Sequence, residues 1–233
     1  MPHESAKINN KLPRTADSWQ LVGQLRVKRR LLLIGGAAGT GKSTVARTLA
    51  TRLNAAWLQL DTLWIAMRDA APQNSKERAI LDIDQRIRAQ AEPADVLLDH
   101  HIAASEAVCA ALPHALAFEL QTHLAVVADG AWLLPEFATQ LDLDDVSIRS
   151  VFLREAALQQ VARAMSSRRG FAMVAAWHAE SARVAWLYGN WLADQAGRVG
   201  LPVVPSQTVR DGGRPNPCSH LTCGFCRRRT RLR

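Results

Sequence analysis

Long apolar runs are missing from this sequence, and so is any spread of paired cysteines. No uninterrupted apolar stretch approaches the roughly 18 residues of a membrane-crossing helix, so no spanning segment is expected. The first thirty residues are polar and hold no apolar h-region, which argues against a secretory signal. Only four cysteines occur, Cys109 in the body and Cys218, Cys223 and Cys226 bunched near the end. Such a distribution is no disulfide framework, and it suits a reducing, cytoplasmic compartment. There is no internal repeat and no long low-complexity tract. With 48% hydrophobic residues in a chain of 233, disordered, collagen-like and miniprotein classes are excluded. What remains is a chain long enough to bury a sizeable core.

The net charge of +8 invites a nucleic-acid reading until it is divided along the chain. Residues 1–30 carry 7 basic and 2 acidic side chains, and residues 207–233 carry 7 arginines and one aspartate. The 15 basic and 18 acidic residues of 31–206 leave that body at −3. The sequence therefore divides into a flexible arm, 1–28, a folded domain, 29–206, and a basic, cysteine-containing tail, 207–233, expected to be disordered.

Within the domain, strands alternate with helices. Leu31-Leu-Leu-Ile34 is a short apolar run typical of a buried parallel strand. A helix is predicted over 42–53, where Val45, Leu49 and Leu53 share one face. Further strands are predicted at 56–60, 124–128, 146–153 and 201–204. Helices are expected over 75–90, from 95 to an interruption at Pro113 and on to 123, over 154–165, and over 174–198 with Trp177, Val184, Tyr188 and Trp191 in a stripe. This order predicts an α/β fold, a doubly wound, three-layer architecture with a five-stranded parallel sheet; the glycine-rich motif at 36–43 makes it a P-loop fold, and the basic stretch after residue 162 adds a helical lid.

The sharpest motif is Gly36-Ala37-Ala38-Gly39-Thr40-Gly41-Lys42-Ser43, which satisfies G-x-x-x-x-G-K-[ST] between a strand and a helix. Glycines let the backbone curl so that successive N–H groups face phosphate oxygens, and the following helix adds the positive end of its dipole. Lys42 supplies a cation for the β- and γ-phosphates, Ser43 a hydroxyl for Mg²⁺, and Thr44 a donor for the α-phosphate.

Ligands of parallel sheets gather at the carboxyl ends of the strands. Asp61 closes the second predicted strand and Asp129 the third. Asp129, after an apolar run, fits an Mg²⁺-holding role, and Asp61 fits the group that orients an acceptor hydroxyl and takes its proton. Arg163, Arg168 and Arg169 lie in or beside a basic stretch between two helices, where a lid would carry cations to the transferring phosphoryl. Arg68 is a candidate grip for an anionic acceptor. His100 and His101 have no partner visible in the sequence and read as surface or core histidines.

Four stretches resemble small P-loop kinases of the adenylate-kinase-like superfamily, and more narrowly bacterial 2-phosphoglycerate kinase-like and zeta-toxin-like ATP-binding proteins. They are Ile34-Gly-Gly-Ala-Ala-Gly-Thr-Gly-Lys-Ser-Thr44, Asp99-His-His101, Asp129-Gly-Ala-Trp-Leu-Leu-Pro135, and Leu187-Tyr-Gly-Asn-Trp-Leu192 leading to Gly200-Leu-Pro-Val-Val-Pro205. The resemblance implies ATP with Mg²⁺ as donor, a small hydroxyl-bearing acceptor, an arginine-bearing lid, and an adenine base near Pro205-Ser206. The chain departs from the family pattern at Ala38, often a proline, and at Asp129 and Ala131, often a glutamate with a second acid two residues on.

Two other readings follow from the ends of the chain and from the motif's limits. The basic termini would suit a nucleic-acid-directed kinase or RNA-binding ATPase, and nucleotide binding without turnover would suit a regulator. Cys218, His220, Cys223 and Cys226 are of zinc-ligating type, but they crowd into nine residues with a single C-x-x-C pair, so a disordered or out-of-frame tail is the favoured expectation.

Overall fold

The computed structural model describes residues 28–89, 91–167 and 175–206. The predicted arm up to residue 27, the predicted tail, Arg168 and Arg169, and the side chain of Trp177 lie outside the described residues. In chain order the elements are β1 (Arg29–Gly35), α1 (Lys42–Leu53), β2 (Ala56–Gln59), α2 (Leu60–Ala70), α3 (Lys76–Leu81), α4 (Ile83–Ala89), α5 (Ala94–Thr122), β3 (Ala125–Gly130), α6 (Pro135–Gln140), β4 (Val146–Arg154), α7 (Leu158–Ser166), α8 (Ala175–Arg198) and β5 (Val203–Pro205).

The five strands form one all-parallel sheet in the order β2-β3-β1-β4-β5. β1 is central and β3 lies between β1 and β2, so both are apolar on both faces. Leu31, Leu33, Ile34, Val126, Val127 and Ala128 are all buried. One face packs on α1, where Ala46 and Ala50 meet Ile34, Val127 and Leu153. The other face carries the larger core, with Leu97, Val108, Leu112 and Leu116 of α5 and Tyr188 and Leu192 of α8. This is the predicted α/β architecture, a five-stranded parallel sheet with helices on both faces, three layers in all.

Four local expectations are corrected. Pro113 does not interrupt a helix: α5 runs through it for 29 residues. An internal proline costs about 3 kcal/mol, whereas burying Val108, Leu112, Leu116 and Leu120, on one face of the helix before and after it, returns about 1.5–3 kcal/mol each. The continuous α5 is also, by length and composition alone, long and apolar enough to cross a membrane, and a third of its most apolar window is buried inside the fold.

The expected single helix over 75–90 is two short helices broken at Asp82, because Leu81, Ile83 and Ile87 all turn inward. The second strand stops at Gln59, and Leu60 opens an unforeseen helix, α2. Leu60 is fully buried against Gly130, which leaves no room for a side chain there. Asp61 thus sits in the first turn of α2, where a carboxylate suits the helix dipole. The helix expected from 154 begins at Leu158, because Arg154 remains in β4.

Candidate active site

The loop between β1 and α1 curls in the manner the motif requires. Gly39 and Gly41 adopt φ of 84° and 80°, and Gly41 forms the N-cap of α1. Thr40 Oγ1 donates to the Ala37 carbonyl at 2.9 Å, and the buried Lys42 ammonium donates to the same oxygen at 3.3 Å. The cation is therefore held across the loop.

Strand register brings the acids alongside. Ile34 pairs with Asp129 and Gln59 pairs with Asp129 from the other side, so the loop, Asp129 and the start of α2 share one sheet edge. Asp129 is 2% exposed, which makes its partners decisive. Ser43 Oγ donates to Oδ2 at 2.7 Å, and the Trp57 indole N–H donates to Oδ1 at 2.6 Å. A hydroxyl and a carboxylate so juxtaposed are hard oxygen donors of the kind that would suit Mg²⁺. Among the described residues no group of three or more His, Cys, Asp or Glu gathers to hold a metal unaided.

Asp61 is half-buried, and its Oδ1 accepts from the Trp132 indole N–H at 3.0 Å. Trp132 belongs to a ladder of rings: Trp64 stacks on it at 4.6 Å, and His101 stacks on its flank at 4.8 Å and on Tyr188 at 3.9 Å. The Tyr188 hydroxyl donates to the Ala131 carbonyl at 2.9 Å and lies 2.8 Å from Ser105 Oγ. Burial raises its pKa.

Arg68 lies 4.7 Å over the Trp64 ring and pairs with Asp69 at 2.9 Å, a hydrogen bond that raises its pKa. Asp84, on α4, has its pKa raised by burial, opposed by the Arg68 and Arg88 charges and reinforced by Asp82 and Asp61. The region of Asp61 thus holds a second carboxyl group.

The start of α7 lies on the phosphate loop. A side chain at Gly39 would come within 3.2 Å of the Val161 carbonyl, and Ala38 packs with Val161, Ala162, Ala182 and Ala185. Arg163 is exposed in the last turn of this helix. From the far side, Ser206 closes the loop: its hydroxyl donates to the Thr40 carbonyl at 2.7 Å and its amide to the Arg154 carbonyl at 2.6 Å.

Lys42, Ser43, Asp61 and Asp129 thus come together at the carboxyl edge of β1, β2 and β3, with Arg163 on the helix above. The bonds made by Trp57, Trp132 and Ser206 were not anticipated, although the resemblance already singled out the stretches that hold Trp132 and Ser206. Their signal is long-range, since the residues they hold are 72, 71 and 166 positions away.

No protein-family model matches the chain, and a search of curated proteins finds no match. Among solved structures, a gluconokinase from Sinorhizobium meliloti 1021 is 18% identical, with 78% of this chain and 84% of that chain covered and a TM-score of 0.41. A shikimate kinase from Acinetobacter baumannii in complex with shikimate is 16% identical, covering 78% and 85%, with a TM-score of 0.44. Deoxyadenosine kinase from M. mycoides with bound dATP is 10% identical, covering 78% and 92%, with a TM-score of 0.43. At such identities the functional reading rests on this chain's own site.

Proposed function

We propose that this protein is an ATP-dependent phosphotransferase acting on a small hydroxyl-bearing molecule. The observation that carries the reading is the 2.7 Å bond between Ser43 and Asp129 at the mouth of a phosphate loop, with Asp61 on the adjoining edge. The backbone amides of Gly36, Ala37, Ala38, Gly39, Thr40, Gly41, Lys42, Ser43 and Thr44 cradle the triphosphate, and the Lys42 ammonium faces its terminal phosphates. Ser43 and Asp129 hold Mg²⁺, which neutralises charge on the phosphates when bound.

Asp61 keeps one oxygen on the Trp132 indole and offers the other to the acceptor hydroxyl, orienting it and accepting its proton. Arg163, with Arg168 and Arg169 beyond the described residues, supplies lid cations. Arg68 is a weaker candidate for an anionic acceptor, because Asp69 already occupies it. The 2-phosphoglycerate kinase-like and zeta-toxin-like likeness enters only as a guide to acceptors worth trying.

The test is a screen for ADP release across sugars, glycerate derivatives, nucleosides and antibiotics, with Lys42→Ala as control. Acceptor-dependent ADP release lost in Lys42→Ala supports the reading. ATP binding that survives the substitution with normal affinity overturns it. The rival nucleic-acid role rests on the basic termini, and no described residue favours it.

A further inference from the structure

His101 is a buried polar side chain beside this site for which the phosphotransferase reading has no use. Its ring is sandwiched between Trp132, with planes 28° apart, and Tyr188, with planes 20° apart. The residue is half-buried overall, yet Nδ1 and Nε2 are both shut off from solvent and have no hydrogen-bond partner among the described residues. Unpaired buried donors and acceptors are costly. A phenylalanine would fill the same slot between two aromatic rings without that cost, so packing alone does not account for an imidazole here.

The surroundings connect the ring to the chemistry. Burial, assisted by the nearby Lys42 ammonium, pushes its pKa down to about 3, so the ring is neutral across the working range of pH. Trp132, on which the ring stacks, holds Asp61. A neutral imidazole offers one donor and one acceptor nitrogen. A hydroxyl group, which both donates and accepts, satisfies either nitrogen, whereas an anionic oxygen satisfies only the donor.

We propose that His101 is an acceptor-binding residue whose ring edge hydrogen-bonds a hydroxyl of a polyhydroxylated substrate, while Asp61 engages the hydroxyl that is phosphorylated. The proposal rests on the phosphotransferase reading and narrows its acceptor to molecules with at least two hydroxyl groups.

The test uses the full chain labelled with ¹⁵N in its histidine rings and loaded with a non-hydrolysable ATP analogue and Mg²⁺. Glycerol serves as the hydroxyl probe and inorganic phosphate as the anion probe, and the His101 signals are assigned by their loss in His101→Phe. Glycerol is expected to shift the His101 ring nitrogens and leave the other histidines in place, and phosphate is expected to shift none. No response to glycerol, or a response to phosphate alone, overturns the proposal.

A second measurement separates ligand binding from folding. His101→Phe is expected to melt at or above the wild-type temperature, by a few degrees at most, roughly what removing about one unpaired group confers in a chain of this length. A lower melting temperature means that the nitrogens serve the fold, and overturns the proposal. Affinity for the ATP analogue is expected to stay within about twofold of wild type; a tenfold loss would assign His101 to the nucleotide instead. Failure of the wild-type chain to bind the analogue at all sinks the phosphotransferase reading itself, a result distinct from any of these.

Discussion

The indole of Trp132 donates a 3.0 Å hydrogen bond to Asp61, joining the segment after β3 to the first turn of α2. Both residues follow neighbouring strands, so the bond fixes the carboxylate relative to the phosphate loop as well as filling one of its lone pairs. Trp132→Phe keeps the stack on Trp64 and His101 and removes only this donor. A hydrogen bond to a charged group is worth about 1.5–3 kcal/mol, so acceptor-dependent turnover should fall about tenfold or more with the KM for ATP unchanged. Steady-state kinetics check the split; an equal rise in the KM for ATP would place the defect in the nucleotide site.

Asp129 is clamped from two sides, and its two donors have different duties. Trp57→Phe removes one donor from a buried carboxylate while sparing the Ser43 hydroxyl. The cost should show chiefly in stability, about 1–3 kcal/mol by urea unfolding. Ser43→Ala should instead raise the Mg²⁺ concentration needed for half-maximal ATP binding, with a smaller change in stability. Calorimetric titration of ATP at several Mg²⁺ concentrations distinguishes the two. Identical profiles for both variants would show that Ser43 is merely a structural partner of Asp129.

The parts of this site that are local in sequence were legible there. The phosphate loop is eight consecutive residues whose conformation glycine permits, and Asp129 ends an apolar run that reads as a buried strand. Misreadings arose where tertiary packing decided. Pro113 looked like a break, but the buried leucines around it hold α5 together. Asp61 looked like a strand end, but Leu60 fits against Gly130 and starts a helix one residue earlier. The partners of Trp57 and Trp132 carry no sequence mark, because a donor's target some 70 positions away is set by strand register. The same reason hid His101, whose neighbours come from α8 and from the segment after β3.

Ser206 ties the end of β5 to the phosphate loop by its 2.7 Å bond to the Thr40 carbonyl. The contact orients a loop peptide without touching Lys42 or Asp129. Ser206→Ala should weaken ATP binding about three- to tenfold, the loss of a neutral hydrogen bond of about 0.5–1.5 kcal/mol, and should leave the KM for the acceptor alone. Fluorescence titration with a labelled ATP analogue gives the affinity directly. Unchanged binding would mean that the loop keeps its shape without this strap.

His101 makes stability depend on pH with a definite sign. The unfolded chain protonates this ring near the ordinary 6.5, whereas burial and the Lys42 charge delay protonation of the folded chain to about 3. Between those values the unfolded state holds more protons, so this contribution is intact above pH 6.5 and is lost progressively as pH falls. The slope is at most about 1.4 kcal/mol per pH unit, or about 2 kcal/mol between pH 6.5 and 5. Carboxylates also titrate as the pH falls, but they do so in His101→Phe as well. The difference between the two chains therefore isolates the imidazole. Urea unfolding at pH 7.5, 6.5, 5.5 and 5 should give curves that diverge below 6.5, with the wild type losing more stability than the variant. Parallel curves would mean that the ring finds a way to hold its proton inside the fold.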